Sequence, residues 1–64
     1  MIVAKNYYEV GGIHRSGFRK ELFRLAYLFD YFEWSEDKGL LSSIFYIKCS
    51  TEAMVAVDHL IDEY

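Results

Sequence analysis

The segment YFEWSEDKGLLSSIFYIKC, residues 31–49, carries the clearest fold signal in this 64-residue chain. Its two halves alternate apolar with polar residues around the segment 36–39, which is the pattern of a β-hairpin. A loop of two or four residues places the apolar side chains on one face, namely Phe32, Trp34, Leu41, Phe45, Ile47 and Cys49. A three-residue loop would scatter them over both faces. The even loop is therefore expected, and the other face then carries Tyr31, Glu33, Ser42, Ile44, Tyr46 and Lys48.

A strand over residues 2–10 is predicted before the hairpin. Apolar and polar residues alternate along it, with Ile2, Ala4, Tyr8 and Val10 on one side and Lys5, Tyr7 and Glu9 on the other. Asn6 falls on the apolar side, which suggests a local bulge.

Two helices complete the pattern. The first is predicted over residues 16–29, with Ser16 as its N-cap and an apolar stripe of Phe18, Leu22, Leu25, Ala26 and Phe29. Phe23, Tyr27 and Leu28 widen that stripe beyond what one sheet face covers, so they are candidate interface residues. The second helix is predicted over residues 51–63, capped by Ser50 or Thr51, with a buried stripe of Met54, Val57, Leu60, Ile61 and Tyr64.

The element order β-α-β-β-α predicts a single small α+β domain spanning residues 1–64. A right-handed crossover is expected to place strand 1 beside strand 3 and parallel to it, with strand 2 outside and both helices on one face. This topology resembles a ferredoxin-like split β-α-β fold truncated by the loss of its fourth strand. Strand 1 then becomes an exposed edge, which a second copy of the chain is able to cover.

The size of the chain favours such an association. A domain of 64 residues buries only a small core, and a single cysteine excludes an internal disulfide. The lone Cys49 and the start of the chain, which soon turns polar, predict a cytoplasmic location. No uncharged apolar run is long enough to predict a membrane span.

The charge is distributed unevenly. The net charge is −3, but residues 1–29 carry five basic against two acidic side chains, whereas residues 30–64 carry two against eight. Such asymmetry either holds the domain together or marks two different surfaces.

Two features support an alternative role in binding nucleic acid or another anionic ligand. The segment GGIHRSG, residues 11–17, is a glycine-rich loop at a helix start, where His14 and Arg15 add positive charge. Arg19, Lys20 and Arg24 continue a basic stripe along the first helix, suited to phosphate contacts. The competing interpretations are a plain serine-capped turn, a solvated helix face, or pairing with the acidic half of the chain.

A third candidate surface is the open face of the sheet, where Lys5, Tyr7, Tyr31, Tyr46 and Lys48 are expected together. Tyrosines flanked by lysines are typical of platforms for single-stranded RNA. However, Glu9 and Glu33 would share this face and repel phosphate, so a protein contact is favoured.

Catalytic chemistry has little support in the sequence. Cys49 and His59 are the only cysteine–histidine candidates, and Cys49 is expected as an inert buried thiol. No metal, cofactor or enzymatic activity is therefore predicted. The leading hypothesis is a small protein-interaction module that forms a homodimer through strand 1 or the first helix, with a role as inhibitor or regulator of a larger partner as an extension.

Overall fold

The computed structural model describes residues 2–64. The elements follow the order β1 (Val3–Gly11), a 3₁₀ turn (Gly12–His14), α1 (Arg15–Leu28), β2 (Phe32–Lys38), β3 (Ser42–Ser50) and α2 (Thr51–Ile61). The predicted α+β class is confirmed, with three strands and two helices in one small domain.

The three strands form one antiparallel sheet in the order β1-β3-β2. The prediction that strand 1 lies beside strand 3 is confirmed, but the predicted parallel direction is wrong. The reason lies in the connections. The crossover through α1 returns β2 in the direction of β1, and the hairpin then reverses β3, which lies between them. The central strand is therefore antiparallel to both neighbours.

The hairpin has the predicted even register. Phe32 pairs with Cys49, Trp34 with Ile47, and Lys38 with Ser43, so four residues, 39–42, connect the last pair. The turn lies later than the predicted centre at residues 36–39, and Leu41 falls within it, fully outside the core. Gly39 permits this turn, because a Cβ at that position would lie 2.6 Å from the carbonyl oxygen of Ser42.

Strand β1 runs without a bulge. Every residue from Val3 to Gly11 has a partner on β3 in one continuous register, so the suggested bulge at Asn6 is wrong. The strand also extends through Gly11, and the 3₁₀ turn begins at the next residue. The predicted loop over residues 11–17 is therefore ordered secondary structure.

The two helices begin differently. His14 precedes α1 and no side chain caps that helix, so the prediction of Ser16 as N-cap is wrong; the 3₁₀ turn leads directly into the helix and leaves Ser16 inside its first turn. The prediction for α2 is confirmed, since the Ser50 hydroxyl accepts a hydrogen bond from the Ala53 amide at 3.3 Å.

Both helices pack on the same face of the sheet. The core consists of buried apolar side chains from β1, α1, β3 and α2, and Phe32 and Trp34 of β2 are partly buried against it. The buried residues are Val10, Phe18, Leu22, Leu25, Phe45, Ile47, Cys49, Ala53, Met54, Val57 and Leu60. Phe18 and Phe45 meet at its centre, edge to face, with ring centroids 4.9 Å apart. The opposite face of the sheet is left without a covering layer among residues 2–64.

Candidate interaction surfaces

The outer edge of β1 has backbone groups free for pairing. The hydrogen bonds from Gly39 N to Ser42 O and from Ser50 N to Tyr31 O show that even-numbered residues of β3 bond towards β2. Bonding direction alternates along an antiparallel strand, so odd-numbered residues of β3 bond to even-numbered residues of β1. The N–H and C=O groups of the odd-numbered β1 residues therefore point away from the sheet. These residues are Val3, Lys5, Tyr7, Glu9 and Gly11.

Asn6 occupies the middle of this edge. Its side-chain oxygen accepts a hydrogen bond from the Tyr7 amide at 2.9 Å, which satisfies one outward-pointing donor. Its Nδ2 donates to the Tyr8 hydroxyl at 3.0 Å. The sequence signalled Asn6 only as a polar residue among apolar ones, because its contact with the edge depends on the direction of the backbone groups.

Tyr8 anchors β1 to α2. Its hydroxyl donates to Asp58 Oδ1 at 2.5 Å and lies 3.6 Å from the Met54 sulfur. Burial, followed by the hydrogen bond to the Asp58 carboxylate, raises the pKa of Tyr8 to about 12. Tyr8 is therefore a protonated structural donor at neutral pH.

Three rows of side chains cross the open face of the sheet. The register places Lys5, Lys48 and Glu33 in one row, Tyr7, Tyr46 and Ser35 in the next, and Glu9, Ile44 and Asp37 in the third. The rings of Tyr7 and Tyr46 are 6.1 Å apart. A shallow depression of about 530 Å³ lies over the first two rows. The structure thus brings Lys5, Tyr7, Tyr46 and Lys48 together as predicted, while Tyr31 precedes β2 and is half-buried.

The lysines of the first row are like charges placed opposite each other. Lys5 and Lys48 are direct cross-strand partners, and such a pair is destabilising when nothing offsets it. Within residues 2–64 neither lysine forms an ion pair. Lys48 has Glu33 as its partner on β2, so within residues 2–64 Lys5 is the lysine of this row that has no carboxylate as a cross-strand neighbour.

The outer side of α1 exposes the three apolar residues that widened its stripe. Tyr27 is 89% exposed, and Phe23 and Leu28 are each more than half exposed. Phe23 nevertheless has a contact within the chain, since its ring meets Trp34 edge to face at 5.1 Å. The three residues therefore lie outside the core, as the sequence predicted.

The basic residues of the alternative hypothesis are distributed among contacts within the chain. Arg19 forms a two-pronged ion pair with Glu36, and Arg24 pairs with Glu21 on its own helix. Arg15 donates to the carbonyl of Gly39 at 3.0 Å. His14 packs against the ring of Tyr64 at 5.4 Å. Lys20 is exposed and forms no ion pair with any residue of 2–64.

A polar network that the sequence did not reveal lies beneath β2. Glu36 accepts hydrogen bonds from Arg19 Nε at 2.7 Å, from Arg19 Nη2 at 2.8 Å and from the Ser43 hydroxyl at 2.7 Å. These bonds, led by those from Arg19, lower the pKa of Glu36 to about 2. Glu36 follows Phe32 and Trp34 at every second residue, and this spacing could have predicted that its side chain lies on the core face. The prediction of a turn over residues 36–39 hid that position.

The catalytic candidates do not form a site. Cys49 is fully buried, and burial raises the pKa of its thiol, whereas His59 is exposed on α2. In the part of the chain that the structure describes, no cluster of three or more histidine, cysteine or acidic side chains is placed to hold a metal ion. Neither helix within residues 2–64 has the length and apolar character needed to cross a membrane.

Comparisons of the chain with protein-family models, with curated proteins and with solved structures found no match.

Proposed function

We propose that this protein is a small, non-enzymatic interaction module that forms a homodimer through the outer edge of β1. Two β1 strands would pair antiparallel and join the two sheets into one of six strands. The observation that carries the proposal is the edge itself: nine residues without a bulge or a proline, with every second residue directing its backbone donor and acceptor outward.

The position of β1 in the sheet supports this assignment. In a ferredoxin-like arrangement, the missing fourth strand would lie against β1, and the second copy would occupy that place. Pairing would satisfy the outward backbone groups of a chain whose core is small for an independent domain. The buried, unpaired thiol of Cys49 supports the cytoplasm as the proposed location.

Two rival surfaces have weaker support. The exposed residues of α1 form a narrow patch, and one of them, Phe23, already packs on Trp34. The basic stripe has three of its arginines bound to groups of the same chain, which leaves fewer charges for phosphate. Protein association is therefore favoured over nucleic-acid binding.

The test is the solution mass by light scattering at micromolar concentration and physiological salt. The expected mass is about 15 kDa, twice the 7.6 kDa of one chain. Tyr7→Pro should return the mass to that of one chain, because proline removes an outward amide that takes no part in pairing with β3. Tyr7→Thr is the matched control: it retains the amide and suits a strand, so it should remain dimeric.

Substitutions on α1 distinguish the rival surface. Tyr27→Glu and Leu28→Glu should leave the mass near 15 kDa if the edge is the interface. A monomeric Tyr27→Glu variant together with a dimeric, folded Tyr7→Pro variant would assign association to α1. A monomeric wild-type chain at every concentration tested would overturn the proposal.

A further inference from the structure

The charges of β1 are arranged symmetrically about its central residue. Tyr7 is the midpoint of Val3–Gly11, with Lys5 two residues before it and Glu9 two residues after it. When two such strands pair antiparallel with Tyr7 opposite Tyr7, each Lys5 stands opposite Glu9 of the second copy. Opposite charges placed directly across two strands attract each other.

The backbone allows this register. The N–H and C=O groups that point away from β3 belong to the odd-numbered residues of β1. In a β1–β1 pair, the hydrogen-bonded partners must therefore both be odd-numbered residues. Tyr7 with Tyr7, Lys5 with Glu9 and Val3 with Gly11 all meet this condition. The whole strand is then paired, with two hydrogen bonds for each pair once the Tyr7 amide exchanges its bond to the Asn6 side chain for one to the second copy.

Other registers are worse in charge and length. A shift of one residue would turn every side chain to the opposite face of the sheet. Larger shifts that preserve the faces shorten the overlap. Among them are registers that place Lys5 opposite Lys5, or Glu9 opposite Glu9, and these add repulsion at the centre of the interface.

The surroundings of Lys5 within its own chain support the same register. Within one chain, Lys48 has Glu33 on one side and Lys5 on the other. The centred register adds Glu9 of the second copy beside Lys5. The row then runs Glu33, Lys48 and Lys5 in one copy, followed by Glu9, Ile44 and Asp37 in the second, and each lysine has a carboxylate as a neighbour.

We infer that the homodimer forms in the register that places Tyr7 opposite Tyr7 and Lys5 opposite Glu9 of the second copy. This inference rests on the proposed function, since it specifies how the β1 edges meet. It also predicts one continuous row of four tyrosines across the open face, because Tyr46 is the cross-strand partner of Tyr7 in each copy.

A charge exchange tests the register. Lys5→Glu alone places Glu opposite Glu twice in the dimer, and Glu9→Lys alone places Lys opposite Lys twice. Each variant alone should dimerise roughly tenfold more weakly than the wild type. An equimolar mixture of the two should form a heterodimer about as tight as the wild-type dimer, since all its cross-pairs are then Glu–Lys. The double variant Lys5→Glu/Glu9→Lys should likewise regain wild-type affinity.

The controls separate this inference from the proposal beneath it. Circular dichroism verifies that each variant is folded, and sedimentation velocity with one variant fluorescently labelled measures the heterodimer. If the wild type dimerises, Tyr7→Pro abolishes the dimer, and the mixture shows no gain over the single variants, the edge is the interface but the register is wrong. If the wild type is monomeric, the edge proposal itself fails.

Discussion

The two edges of the sheet differ in how they are protected against pairing with another strand. β2 has four charged residues among its seven, and α1 adds the Arg19 ion pair and the Phe23 contact on its inner face. β1 is longer, has two charged residues among its nine, and has the single side chain of Asn6 bonded to its outward backbone. Charged side chains and contacts from a neighbouring helix are the usual means of preventing an edge strand from pairing with another chain, and β1 has little of either.

This difference indicates where the chain can extend its sheet. An edge that pairs must expose its backbone, remain regular over many residues and carry few charges that are not matched across the pair. β1 meets these conditions and β2 does not. The comparison predicts a closed dimer, because a molecule with one open edge pairs once, whereas a molecule with two open edges polymerises.

Removing acidic residues from β2 should make its edge as open to pairing as that of β1, and this should have the largest effect on the particle mass. Glu33→Val with Asp37→Val leaves a strand rich in apolar residues at the second edge. Each dimer would then have two open ends, so the particle mass should rise with concentration beyond that of a dimer and end in precipitation. Light scattering across a concentration series measures the change.

The matched control keeps the charges and changes only their lengths. Glu33→Asp with Asp37→Glu should remain at the mass of the wild type. Polymerisation of this control, or a stable dimer in the valine variant, would show that the carboxylates are not what protects the β2 edge.

The ion pair between Arg19 and Glu36 should make the free energy of unfolding depend on pH in the acidic range. The pKa of Glu36 is about 2 in the folded chain against an ordinary value of 4.5, so the unfolded chain binds a proton first as pH falls. The contribution of Glu36 to the free energy of unfolding is therefore complete above about pH 4.5 and is lost as pH falls towards 2. Glu36→Gln should lower Tm by several degrees at pH 7, with the difference disappearing near pH 2.

Thermal denaturation from pH 2 to pH 7 measures this difference. Glu33→Gln is the control, because its carboxylate lies on the open face, outside the Glu36 network. A pH-independent gap between Glu36→Gln and the wild type would mean that the substitution acts through packing and not through the ionised carboxylate.

Releasing the Tyr7 amide at the centre of the β1 edge should have the smallest effect on association. Asn6→Ala removes the acceptor that holds the Tyr7 amide, so that amide becomes available to the second copy. Dimerisation should tighten roughly threefold, the scale of one modest hydrogen bond. Sedimentation velocity with Asn6→Asp as control tests this, since a carboxylate retains an acceptor for the Tyr7 amide. Weaker dimerisation of Asn6→Ala would show that Asn6 assists pairing.

The local patterns predicted the elements well, and two of the failures share one physical origin. Alternation in residues 31–49 was enough for the hairpin register, and the capping preference of Ser50 was enough for the start of α2. Leu41 and Glu36 were misplaced together because the turn was centred too early; its position depends on the close approach of Gly39 to Ser42. The candidate site was half predicted: the exposed strand 1 and its residues Lys5 and Tyr7 were expected, whereas the role of Asn6 was not.

The element types, the apolar faces of the helices and strands, and the division into a basic and an acidic half follow from residue spacing and composition. The direction of β1 against β3, the pairing of Arg19 with Glu36 and the outward direction of the odd-numbered β1 amides follow only from the folded arrangement. These depend on which residues distant in sequence become neighbours and on which side of a strand each backbone group points. Side-chain periodicity specifies neither of them.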